Sequence, residues 1–118
     1  MDEINSILTS VKKMLGITKE YDAFDADIIM HINSVFDILT QLGVGPKEGF
    51  VIEDDGTEWS DFIDDINIIQ SVKSYVFLKV KMIFDPPTNG ITAESYKNQI
   101  AEFEWRLNVS RDPGWEKI

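Results

Sequence analysis

The stretch that decides the fold runs from Ile68 to Asn108, IIQSVKSYVFLKVKMIFDPPTNGITAESYKNQIAEFEWRLN. Its first half is apolar on most of a helical circumference. The helix it belongs to reaches back to Ser60 and on to Phe84: Phe62, Ile66, Ile69, Val72, Val76, Val80 and Ile83 make one stripe, and Ile63, Tyr75, Leu78 and Met82 widen it. A helix apolar nearly all round is a central one, enclosed by other helices or by partner chains. Lys73, Lys79 and Lys81 mark what is left of its wet side. Asp85-Pro86-Pro87 stops it, because each proline drives its predecessor out of the helical region. After the Thr88-Asn89-Gly90 turn, Thr92 is the expected cap of an amphipathic helix reaching Asn108. Tyr96, Ile100, Phe103 and Leu107 form its stripe, and Glu102 can pair with Arg106 one turn on.

Working towards the N-terminus, Ser60 is the expected cap of the central helix, with Asp61 in its first turn. The segment before it, GVGPKEGFVIEDDGTEWSDF, is irregular. Phe50-Val51-Ile52 is β-prone, Asp55-Gly56 is a hairpin-turn pair, and Thr57-Glu58-Trp59 could return antiparallel. A small hairpin or a structured loop is expected there. Helix two runs from Ala23 or Asp25 to Leu42, with Asp22 or Asp25 as cap. Ile28, Ile32, Val35, Phe36, Leu39 and Leu42 face inward; Asp27 and Asp37 face away. Helix one spans Asn5 to Leu15 on the stripe Ile4, Ile7, Leu8, Val11, Leu15, and Gly16 ends it. The expected fold is therefore mainly all-α: a bundle of about four helices, with a short hairpin or structured loop between helices two and three. Residues 1–108 form the one domain, and residues 109–118 a flexible C-terminal tail.

Composition narrows the function. The 118 residues are 43% hydrophobic and lack cysteine, which excludes a disulfide framework, a thiolate zinc site and a cysteine nucleophile. No apolar run is long enough to span a bilayer, and the acidic MDEINSILTS start does not read as a signal peptide. The net charge of −10 is concentrated: residues 21–65 carry twelve acids against Lys47, a net of −11. Such a surface repels phosphate backbones or meets a basic partner. Its acids do not fit a calcium loop, since counting from Asp54 puts Trp59 at the position of the required glycine. His31 has no second histidine or cysteine to share a metal, and no phosphate-cradling glycine loop is present. No catalytic, cofactor or metal residues are expected, and the chain does not read as an enzyme. The partner-contact candidates are Arg111 and Trp115 in the tail, with Trp59 at the end of the loop.

The words KVKMIFDPP and EWRLN, with SVKKMLGI, the acidic YDAFDAD linker and a helix ending in QLG, resemble the head–tail connector (adaptor) proteins of tailed bacteriophages and prophages. The resemblance covers residues 7–42 and 59–108. It implies a homo-oligomeric ring beneath the portal protein that extends the DNA channel and receives the next tail-completion protein. It also implies C-terminal segments that dock the portal. Assembly in the host bacterial cytoplasm, followed by residence in the virion, goes with that role. DNA would pass without specific binding along an acidic face made by Glu53, Asp54, Asp55, Glu58 and Asp61. The alternative is a small acidic inhibitor from a mobile element that mimics DNA charge; its acids should be spread in rows, whereas here they cluster.

Overall fold

The computed structural model describes residues 5–110, which contain five helices: α1 (Ile7–Met14), α2 (Asp25–Gln41), α3 (Trp59–Phe62), α4 (Ile66–Phe84) and α5 (Gly90–Ser110). α4 packs on α1, α2 and α5, the central place its broad apolar surface requires. Ile7, Leu8 and Val11 of α1 meet Ile28, Ile32, Val35, Phe36 and Leu39 of α2 and Val72, Tyr75, Val76 and Val80 of α4 in one buried core. Each large side chain removed from water there contributes roughly 1.5–3 kcal/mol before entropy is charged against it.

The helix ends follow local chemistry. Ser6 caps α1 by accepting from the Thr9 amide. α2 stops where Gly43 takes φ +85°, which lets the Val44 amide reach back to the Leu39 carbonyl. Asn89, rather than the expected Thr92, caps α5: its Oδ1 accepts from the amides of Ile91 and Thr92. The turn is short enough after Pro87 that Asn89 reaches the first free amides before Thr92 does.

Two expectations are corrected. The central helix does not start at Ser60. A single turn, α3, is capped where the Glu58 amide donates to Asp61 Oδ2. Ile63 is then extended (φ −157°, ψ 135°), and Asp65 caps α4 through the Asn67 amide. Short acidic side chains that bond nearby amides, Asp61 that of Glu58 and Asp65 that of Asn67, offer the backbone an alternative to continuous helix, so the helix is cut at Ile63. Ile66 and Ile83, placed on the stripe by spacing, are exposed near the two ends of α4.

Nor is there a hairpin; among the described residues no sheet forms. Gly56 does not take the positive φ that a type I′ turn demands. Its amide is instead bound by Asp54 Oδ1. The two would-be strands pair with other elements. Asn33 of α2 takes both the amide and the carbonyl of Ile52, at 2.8 and 3.0 Å. The return segment runs beside the start of α1, where Ile7 donates to the Thr57 carbonyl and Ser6 forms an isolated bridge with Glu58. The structured loop is the alternative realised. Gly45 is required within it, since at φ +87° a Cβ would overlap the Phe62 ring.

Candidate partner-contact surfaces

α4 and α5 form an antiparallel hairpin. Asp85-Pro86-Pro87 turns the chain, and α5 lies back along α4 with Ile100 and Leu107 buried against it. Halfway along, Tyr75 Oη donates to Glu104 Oε2 at 2.7 Å, and Lys79 Nζ stands 3.9 Å from the same oxygen. Burial first, and then the Glu104 carboxylate, hold the Tyr75 hydroxyl far above its ordinary ionisation range. It is a neutral donor that fixes the register of α5.

α5 packs mainly on α4, so much of its circumference stays open. Between the start of α4 and the end of α5 lies an apolar groove of about 260 Å³, with Ile68, Trp105, Leu107 and Val109 among its lining. Trp105 is 67% exposed. The sequence reading missed it, although a signal was present: at position 105 it falls off the 96–100–103–107 stripe, and a tryptophan off the stripe has nowhere to be buried. A second groove, nearer the end of α1, is floored by Phe77, Leu78 and Phe103. Large apolar surfaces of this kind mark contact sites for other proteins.

Of the tryptophans singled out earlier, Trp59 lies in the core at 2% exposure. Its Nε1 donates to Ser10 Oγ at 2.9 Å, its ring meets Phe36 and Phe77, and Lys73 sits 5.9 Å above it. Arg111 and Trp115 lie outside the described residues. Glu53, Asp54, Asp55, Glu58 and Asp61 are all exposed on the loop that ends in α3. Asp54 and Asp61 also shape that loop by accepting backbone amides.

A second residue that periodicity did not flag is Lys12, 2% exposed. Its Nζ donates to the Lys19 carbonyl at 3.0 Å and lies 2.8 Å from Asp25 Oδ1. That ion pair fastens the α1–α2 linker and fixes where α2 begins. Among the described residues no cluster of histidines and carboxylates has metal-binding geometry, and no helix is long and apolar enough to cross a membrane.

The sequence profile of a family described as phage connector protein matches residues 7–114. Comparison with curated proteins and with solved structures finds no match.

Proposed function

The chain belongs to the phage connector protein family, and on that premise we propose that it is a head–tail connector of a tailed phage or prophage. In this reading copies of the chain form a ring beneath the portal protein. The ring extends the DNA channel and joins capsid to tail by receiving the next tail-completion protein. The role is structural and uses no cofactor. It is played out in the host cytoplasm during assembly and then in the virion.

The observation that carries the reading is the family match over nearly the whole chain. The architecture supports it: α4 is apolar almost all round, yet α5 covers only part of what α1 and α2 leave open. A ring neighbour would cover more, through a head-to-tail contact that closes on itself. The exposed acids Glu53, Asp54, Asp55, Glu58 and Asp61 suit a channel wall that repels the phosphate backbone. The C-terminal segment with Arg111 and Trp115 supplies residue types that dominate protein contacts, and it is assigned to the portal.

Light-scattering chromatography of the chain mixed with the portal protein of the same genome tests this. Co-elution at many copies per portal ring is expected. Truncation after Ser110, which spares α5, should abolish it without altering the helical circular dichroism. A full-length chain that elutes apart from the portal would sink the proposal.

A further inference from the structure

The two ends of the α4–α5 hairpin lie far apart on the molecule. Ser110, from which the C-terminal segment departs, is at the end where α4 begins. At the other end, about 28 Å away along the 19 residues of α4, aromatic side chains gather at the surface. Tyr21 and Phe24, in the α1–α2 linker, are 52% and 42% exposed, with ring centroids 5.8 Å apart. Phe24 stands edge-on to Phe84 in the last turn of α4, and the His31 ring also meets Phe84. Ile83 beside Phe84, and Ile91 just past the turn, are exposed as well.

The charge around these rings is mainly negative. From Glu20 to Pro46 the chain has five acids and neither lysine nor arginine. Asp25 is neutralised by Lys12. Glu20 and Asp22 flank Tyr21, and Asp27 lies on the α2 face between Phe24 and His31; all three are exposed. Lys19 precedes them, and Lys81 is committed to Asp85 at 2.8 Å. The C-terminal carbonyls of α4 add the negative end of its dipole. Aromatic faces ringed by carboxylates favour a cation on a partly apolar segment, with arginine suited best because it stacks on rings and pairs with carboxylates together.

We propose that this acidic aromatic patch, centred on Tyr21, Phe24 and Asp27, is the docking site for a basic, arginine-bearing segment of the tail-completion protein. The inference rests on the connector reading, which assigns the opposite end of the hairpin to the portal. A second copy of this chain is a poorer occupant, because each copy carries −10 and two such surfaces repel. A foreign basic segment lacks that obstacle.

The test compares the full-length chain with a Tyr21→Ser, Asp22→Lys, Asp27→Lys variant, using the portal and tail-completion proteins of the same genome as separate probes. All three positions are exposed, and unchanged circular dichroism and melting would establish that the variant folds. Affinity for the tail-completion protein should fall by about tenfold or more, while portal binding stays within about twofold. Tyr21→Phe should bind as the parent does, and raising salt should weaken the parent's binding. A variant that still binds the tail-completion protein like the parent overturns the inference, and an intact portal complex leaves the connector reading standing. A variant that loses the portal instead reverses the assignment of the two ends and overturns it too. Loss of self-association alone would make a second copy the occupant. A parent chain that binds neither probe removes the connector reading and this inference together.

Discussion

The loop between α2 and α3 and the helix α5 are both fastened to the same core, but the loop needs polar clamps on its backbone that α5 does without. The loop has no periodicity; it buries Val44 and Ile52. Polar side chains hold its backbone, Asn33 on Ile52 and Ser6 on the Asp55 carbonyl, while the Trp59 indole bonds the Ser10 hydroxyl where the loop enters α3. α5 is held by an apolar stripe and one polar clasp, Tyr75 to Glu104. An irregular segment near the core must find a partner for each backbone group that no helix or ladder satisfies. A helix satisfies its own backbone, so apolar contact on one face suffices. Removing a clamp should therefore loosen the loop locally, whereas thinning the α4–α5 contact should weaken α5 along its length.

The largest effect is expected at the loop's anchor. Trp59→Ala empties a buried site against Phe36 and Phe77 and should cost about 3–5 kcal/mol in urea unfolding; a loss below about 1 kcal/mol would mean the indole does not hold the loop. Next comes Lys12→Met, which leaves the Lys19 carbonyl and Asp25 without their cation. Because Asp25 is partly exposed, the loss should be about 1–3 kcal/mol. Asn33→Ala removes two bonds to Ile52 at once and should cost about 1–2 kcal/mol. Hydrogen exchange should then quicken at Ile52 and not in α5; equal quickening in both would erase the distinction between the two regions.

Tyr75→Phe tests the α5 side, with an expected loss of about 1 kcal/mol at neutral pH. It also has a pH signature. The Tyr75 proton is held more tightly in the folded than in the unfolded chain. The stabilisation is complete below the unfolded tyrosine pKa of about 10 and declines as pH rises beyond it, by up to about 1.4 kcal/mol per pH unit. The parent should lose that increment in alkaline unfolding relative to Tyr75→Phe; parallel curves would mean the hydroxyl is not buried. The smallest effect is expected for Trp105→Ala, within about 0.5 kcal/mol, since its ring is mostly in water. A larger loss would place Trp105 in the core of α5 packing.

The helices were legible because periodicity is local. Val72, Val76 and Val80, or Ile100 and Leu107, announce their buried face whatever packs on it. The Glu102–Arg106 pair likewise follows from spacing alone. Of the two alternatives for the loop, the hairpin fails because the strand and turn propensities of Phe50-Val51-Ile52 and Asp55-Gly56 are overridden by long-range partners. Nothing near Asn33 in the chain shows that it will bind Ile52, 19 residues away. The contact patches were hidden for a related reason: Tyr21 and Phe24 look like linker residues until the end of α4 is folded beside them.

The sequence by itself determined a mainly helical chain, its central α4, the proline stop, the stripe of α5 and a resemblance that the family match bears out. Those follow from side-chain spacing and backbone restriction within a few turns. The tertiary structure alone decided the break at Ile63, the burial of Lys12, the clamping of the loop, and the gathering of Tyr21, Phe24 and Phe84 at one end of the hairpin. Each of these depends on which groups meet across tens of residues, where hydrogen-bond satisfaction and burial, rather than propensity, select the arrangement.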